Sequence, residues 1–167
     1  MKGLKLSLIE KLPEIYDHEK LLADYKNCKK TDQILITSID GNTYQYETGD
    51  LSKLELDQND FSIVNKFFKG TYTEEVYNDL NEKYNICRAR FLTLDLAKRA
   101  YSYHRDLTKR IHVPIKTTEL SMLYHEEKIY RMPEVGQSYM VDTTKMHSFL
   151  HLHREKERVH FVACLKE

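Results

Sequence analysis

The stretch HSFLHLHREKERVHFVACL, residues 147–165, holds two short strand-like runs separated by a charged segment. The first run begins with His147, and the second begins with Arg158. A short turn at REKE would return the second strand beside the first. We therefore expect His147 and Arg158 to lie near each other, at one end of a β-rich domain.

Strand-like runs of this kind fill the second half of the chain. They are short, separated by turns and spaced as in a sandwich or jelly roll. The eight runs are ICRARFLTLD, YSYHRD, RIHVPIKT, LSMLYHE, KIYRM, SYMVDT, HSFLHL and RVHFVACL. The pattern predicts a β-structure that begins at about Ile86.

The first half of the chain has a mixed pattern. DHEKLLADYKNCKK and TYTEEVYNDLNEKY are typical of helices, with Thr73 as the expected N-cap of the second. QILITSIDGNTYQYET predicts a β-hairpin that turns at Asp40-Gly41-Asn42. We therefore expect an α+β, mainly β fold in a single domain, 1–167. Helices and a hairpin in 1–85 would brace a jelly-roll core in 86–167.

Composition narrows the function classes. Of the 167 residues, 31% are charged, and the formal net charge is zero, which argues against nucleic-acid binding by bulk electrostatics. No apolar run approaches the length of a membrane span, and the N-terminus does not resemble a signal peptide. Three widely spaced cysteines fit neither a zinc pattern nor a secreted disulfide framework. We expect a reduced, cytoplasmic protein.

His104 and Asp106 lie two residues apart in YSYHRD. In a strand, residues i and i+2 point to the same face, so this pair can offer two ligands to one metal ion. His147 is the best candidate for the third ligand. Two histidines and one carboxylate that leave positions open are typical of non-haem Fe(II) oxygenases. An isolated H-x-D is frequent by chance, so the pattern alone does not establish a metal site.

The ordered elements RARF, YSYHRD, RIHVPIKT, GQSYMVDTTKMH and RVHFV resemble one family over residues 86–165. This family is the aspartyl/asparaginyl β-hydroxylase-like branch of the 2-oxoglutarate- and Fe(II)-dependent oxygenases, which small bacterial proline hydroxylases resemble. The resemblance implies a cupin-like double-stranded β-helix, or jelly roll. It also implies Fe(II), 2-oxoglutarate and O2 as cofactor and co-substrates. His104, Asp106 and His147 would be both the catalytic residues and the metal ligands, and Arg158 would bind the distal carboxylate of 2-oxoglutarate.

The resemblance also suggests roles for other residues. His112 and Thr117 are candidates for the co-substrate pocket, while Arg90 and Tyr103 are candidates for the substrate mouth. His112 has two further interpretations. Some aspartyl hydroxylases take their first histidine from an R-x-H-x-G strand, which would nominate His112, and a purely structural role is the other. We prefer His104, because Asp106 completes the triad and residue 114 is Pro.

The resemblance favours hydroxylation of an unactivated carbon, in a free amino acid or in the side chain of a peptide. Two rivals stay open. One is a jelly-roll binding protein without turnover, since Thr118 and His151 depart from the family pattern. The other is a cupin-like metalloenzyme that does not use 2-oxoglutarate. A small-molecule or peptide substrate is the expected partner, a nucleic acid is disfavoured, and the oligomeric state is left open.

Overall fold

In the computed structural model, which describes residues 7–46 and 48–167, strands dominate the chain. The first half contains β1 (Ile9–Ile15), α1 (His18–Lys26), β2 (Gln33–Leu35), β3 (Thr37–Ser38), β4 (Ile63–Val64) and α2 (Tyr72–Tyr84). The second half contains β5 (Ile86–Leu94), β6 (Arg110–Lys116), β7 (Ser121–His125), β8 (Lys128–Tyr130), β9 (Gln137–Val141), β10 (Ser148–His151) and β11 (Arg158–Leu165). The expected mainly β architecture with N-terminal helices is confirmed at this level.

The larger sheet has six antiparallel strands in the order β1-β9-β6-β11-β5-β2. Its central strand, β11, alternates strictly between the two faces. Phe161 and Ala163 belong to the core that contains the helices, whereas Arg158 and His160 point to the opposite side. One face of the sheet is therefore apolar, and the other presents cationic and imidazole side chains.

The smaller sheet has the order β10-β7-β8 and is also antiparallel. Two isolated bridges, Ala100↔Leu150 and His104↔His147, attach the segment before β6 to β10. Seven of the eight strand-like runs form strands, whereas YSYHRD makes only the His104 bridge. The segment is irregular between its bridges, so it crosses the edge of the smaller sheet without joining it as a continuous strand.

The two helices cover the apolar face of the larger sheet. Leu21 of α1 and Leu80 of α2 are fully buried in one core with Phe91 and Phe161 of the sheet. Burying each side chain of this size contributes about 1.5–3 kcal/mol to folding. Neither helix within the described residues is long and apolar enough to cross a membrane.

The start of α2 differs from the expectation. Its N-cap is Thr71, not Thr73. Thr73 lies within the helix, where its N–H and its hydroxyl both donate to Oδ2 of Asp24 in α1. A carboxylate from the neighbouring helix thus satisfies one of the free N–H groups of the first turn, which explains why Thr73 need not cap the helix itself. The expected cap was therefore wrong by two residues.

The strand after His147 and the strand that begins at Arg158 were expected to pair with each other, and this expectation was wrong. β10 pairs with β7 in the smaller sheet, while β11 pairs with β5 and β6 in the larger one. The charged segment REKE crosses between the sheets. His147 and Arg158 are still brought to one site, because the guanidinium of Arg158 lies over the ring of Phe149 in the facing sheet, 4.8 Å from its centroid.

Two features of the first half also depart from the sequence pattern. The turn at Asp40 forms, since its carboxylate accepts from the N–H groups of Asn42 and Thr43. The strand before it, β3, pairs with β4 and not with the residues that follow the turn. In addition, β1 was not expected from the sequence, and it forms the edge of the larger sheet beside β9.

Candidate metal centre

A backbone bridge brings the two histidines of the predicted triad together. The N–H of His104 donates to the carbonyl of His147 at 3.0 Å, and the N–H of His147 donates to the carbonyl of His104 at 2.7 Å. Their rings therefore lie side by side, with centroids 4.7 Å apart. The N–H of Asp106 donates to the carbonyl of Thr143, which holds the carboxylate on the same side.

The three side chains form a compact donor set. Nε2 of His104 lies 3.5 Å from Oδ1 of Asp106, and Nε2 of His147 lies 3.6 Å from Oδ2. One ligand atom from each residue lies within 4.8 Å of the other two, so one ion can contact all three. Of the residues that the structure describes, these three form the cluster suited to holding a metal.

Hydrogen bonds fix which nitrogen each ring offers. Nδ1 of His104 contacts the carbonyl of Ser102 at 2.5 Å, and Nδ1 of His147 contacts the carbonyl of Lys145 at 2.8 Å. A carbonyl oxygen can only accept a hydrogen bond, so each neutral ring carries its proton on Nδ1 and leaves the Nε2 lone pair free. Metal-binding histidines are commonly oriented in this way.

Two donor atoms of the cluster face each other. Burial lowers the pKa of His147, and among the described residues neither its Nε2 nor Oδ2 of Asp106 has a hydrogen-bond partner. A free imidazole lone pair and a carboxylate oxygen repel each other unless a cation lies between them. Two imidazoles and one carboxylate are the donors of the facial triad of Fe(II) oxygenases, so these residues fit Fe(II).

Arg110 completes this arrangement, although the sequence did not single it out. Its Nη2 donates to Oδ1 of Asp106 at 2.5 Å, and both side chains are largely buried. This ion pair orients the carboxylate and leaves Oδ2 available. In the sequence, Arg110 follows Asp106 by four residues. Outside a helix, an acid and a base at this spacing are too common to predict an ion pair.

The triad opens into a cavity of about 950 Å³ between the two sheets. Arg158 lies in the same cavity and is only 2% exposed. Among the described residues, it makes no ion pair with a carboxylate. Burial lowers the pKa of Arg158 to about 10, so the side chain is still cationic near neutral pH. A buried guanidinium without a carboxylate partner is suited to binding an anion.

His112 lines the cavity beside Arg158. Nη2 of Arg158 donates to Nδ1 of His160 at 2.9 Å, so His160 carries its proton on Nε2. Nδ1 of His112 lies 3.3 Å from Nδ1 of His160. Because Nδ1 of His160 carries no proton, Nδ1 of His112 must be the donor. The Nε2 atom of His112 is thus an acceptor, buried and without a partner in the described structure. His112 stands beside the cluster of three ligands and is not part of it.

The other predicted residues divide between the cavity and its surroundings. Arg90 lines the cavity and is 3% exposed. Thr117 lies instead at a small neighbouring void, which it shares with Arg158 and His160. Tyr103 is 48% exposed, packs against Tyr124 and is not among the residues that line the cavity, so its place at the substrate mouth stays a prediction.

Arg88 is a further cavity residue that the sequence analysis left aside. Both Arg88 and Arg90 line the cavity and are buried. A β-bulge in β5 explains this. The register with β11 shifts between Arg90 and Cys87, and Arg88 adopts a left-handed backbone with φ of 47°.

No family model matches the chain. No curated protein matches it either. Among solved structures, the chain is similar to the crystal structure of IDO from Bacillus thuringiensis, with 11% sequence identity and a TM-score of 0.49. The match covers 96% of this chain and 91% of that chain. A likeness at this level assigns neither a family nor an activity to the protein.

Proposed function

We propose that the protein is an Fe(II)- and 2-oxoglutarate-dependent dioxygenase that hydroxylates an unactivated carbon of an amino acid or a peptidyl side chain. One observation carries the proposal: a two-histidine, one-carboxylate cluster lines the same cavity as Arg158, which is buried and has no carboxylate partner among the described residues. Such a cavity can take a metal ion and an anionic co-substrate together.

The strand order supports a double-stranded β-helix as the fold. From β5 onward, the chain passes repeatedly between the sheets: β5, β6, β9 and β11 lie in the larger sheet, and β7, β8 and β10 lie in the smaller one. The bridged segment at His104 adds an eighth element beside β10. Eight elements shared between two facing antiparallel sheets are what a jelly roll requires.

In this proposal His104, Asp106 and His147 hold Fe(II). The carbonyls of Ser102 and Lys145 keep both rings turned with Nε2 toward the ion. Iron bound with the 2-oxo acid supplies the activation of dioxygen that attack on an unactivated carbon requires. The protein supplies a fixed set of ligands and an enclosed position for the substrate.

Arg158 binds the far carboxylate of 2-oxoglutarate in this proposal. Its planar guanidinium matches a carboxylate in two parallel hydrogen bonds, and its stacking on Phe149 restricts its rotation. His112 lies beside it, and its free Nε2 accepts a hydrogen bond from bound water or substrate. Thr117 is near enough to Arg158 to share a void with it, which is compatible with an indirect role at the co-substrate.

The direct test is succinate release. The purified protein is incubated in air with Fe(II), ascorbate and 2-oxoglutarate, with and without a panel of amino acids and peptides. We expect succinate to form, and Asp106→Ala to abolish its formation, while the exposed control Asp60→Ala keeps it. Iron binding without any succinate would favour a binding protein. Metal-dependent turnover that is indifferent to 2-oxoglutarate would favour a cupin-like enzyme of another kind.

A further inference from the structure

A second group of cationic side chains lines the cavity on strand β5. Arg88 and Arg90 are 7% and 3% exposed, and they alternate along β5 with Ala89 and Phe91 of the core, so both face away from it. Arg88 also adopts a left-handed backbone, with φ of 47°, which is unfavourable for a non-glycine residue. The chain thus holds Arg88 in the cavity at an energetic cost, beside Arg90.

Both guanidiniums are held in position by neutral groups. Nη2 of Arg88 donates to the carbonyl of Gly49 at 2.6 Å, and Nη1 of Arg90 donates to Oε1 of Gln33 at 3.2 Å. Neither forms an ion pair with a carboxylate of the described residues. These contacts orient the side chains and leave their charges without a counterion.

The free donors of Arg90 have a distinctive geometry. Its Nε and Nη2 atoms are buried and lack a hydrogen-bond partner within residues 7–46 and 48–167, as does Nε of Arg88. Nε–H and Nη2–H form the side edge of the guanidinium, where two parallel donors face the same way and match the two oxygens of a carboxylate. An arginine does not relieve its burial by losing its proton, so a bound anion is the remaining compensation.

The acids around the cavity do not supply this anion. Asp106 is engaged by Arg110 and the two histidines. The carboxylates of Asp50 and Asp57 accept from backbone N–H groups at the exposed start of short 3-10 turns. The positive charge on β5 is therefore separate from the metal cluster, and it also lies on a different strand from Arg158.

We propose that Arg90, with Arg88 beside it, forms a second anion subsite that binds a carboxylate of the substrate. The inference rests on the proposed function for the identity of the reaction, though the subsite itself needs no metal. It narrows the substrate class to small free carboxylic acids, including amino acids with a free carboxylate. A neutral amide of the same shape would leave the side edge of Arg90 unpaired.

The test uses metal-free full-length protein, so that it is independent of turnover. Glutarate, L-glutamate, the neutral diamide glutaramide and inorganic phosphate are titrated by calorimetry into Arg158→Gln, in which the co-substrate position is disabled. We expect glutarate or L-glutamate to bind, and Arg90→Gln/Arg158→Gln to bind it at least about tenfold more weakly, because a bidentate charged pair is lost. Glutaramide should bind neither variant.

A folding control separates loss of the site from loss of structure. Arg90→Lys keeps the charge and removes the side edge, so it should fold normally and still lose about tenfold in carboxylate affinity. Removing an uncompensated buried cation should also leave the melting temperature of ligand-free Arg90→Gln equal to or above that of the parent.

The proposal is overturned if carboxylates bind both Arg158→Gln and the double variant equally. It is also overturned if phosphate binds and carboxylates do not. Succinate release without this subsite would leave the proposed function intact.

Discussion

The Nε2 atom of His147 lies 3.6 Å from the Oδ2 atom of Asp106, and neither atom has a hydrogen-bond partner in the part of the chain that the structure describes. The other ring nitrogen of His147 is engaged by the carbonyl of Lys145. Burial lowers the pKa of His147, which disfavours a proton between the two atoms. A metal ion is the partner that satisfies both at once, and this relationship supports the metal site more strongly than the H-x-D pattern does.

Arg110 should stabilise the metal-free protein through Asp106. Arg110→Gln would leave the largely buried carboxylate without its cation, and breaking a buried pair costs about 3–5 kcal/mol. Lys11→Gln is the matched control, because it breaks an exposed pair with Glu134 that is worth no more than about 1 kcal/mol. Urea unfolding of both variants without metal measures the difference. Equally small losses would show that Arg110 has no such role.

Arg158 should control affinity for 2-oxoglutarate without affecting the metal. Truncating one partner of a buried charge pair costs about 2–5 kcal/mol, so Arg158→Gln should weaken 2-oxoglutarate binding at least about 30-fold. Metal affinity should stay unchanged, since Arg158 is not among the ligands. Anaerobic titration of the iron-loaded protein measures both, with the exposed Arg154→Gln as control. Unchanged 2-oxoglutarate affinity would remove Arg158 from the co-substrate site.

The buried histidines should make the protein less stable in acid. Burial lowers the pKa of both His112 and His160 well below 6.5, and the nearby Arg158 adds to this. Below pH about 6.5 the unfolded chain therefore binds protons that the folded protein does not. Stability should fall as the pH drops, by up to about 1.4 kcal/mol per pH unit for each histidine, until the folded pKa is reached.

Urea unfolding of the metal-free protein at several pH values between about 7 and 5 measures this slope. Carboxylates contribute a slope of the same sign, so the informative comparison is with the variant His112→Gln/His160→Gln. The variant should have the shallower slope. If the two slopes are identical, the acid sensitivity arises elsewhere.

The cysteines should be unreactive in the native state. Cys28, Cys87 and Cys164 are free and buried, and burial raises the pKa of Cys87 to about 12 and also raises that of Cys28. A chromogenic disulfide reagent should react at least about 100-fold more slowly with native than with urea-unfolded protein, because reaction requires opening of the structure. Rapid labelling of a thiol in the native protein would contradict this packing.

The candidate cluster of three ligands could be nominated from the sequence because its signals are local. His104 and Asp106 sit two residues apart, and His147 precedes a strand-like run, so donor type and spacing were enough to nominate them. The alternation along β11 likewise separates Arg158 from the apolar core.

The rest of the fold and of the cavity depends on which segments, distant in the sequence, pair with each other. That β10 and β11 lie in different sheets follows from pairings with β7, β5 and β6, which no local pattern specifies. The bulge that turns Arg88 into the cavity is set by its partner strand and by the carbonyl of Phe61, which accepts from the N–H of Arg88. The segment that contains Tyr103 and His104 likewise forms isolated bridges and no continuous strand, which no local pattern specifies.

The most direct test of the account is an anaerobic titration followed by visible absorption. Fe(II) is added to the purified protein, and 2-oxoglutarate is then added to the complex. We expect a weak charge-transfer band from the co-substrate chelated to iron, and we expect His147→Ala to lose it, because a ligand is missing. If the protein binds no iron, the cluster of His104, Asp106 and His147 is not a metal site, and the central claim is wrong.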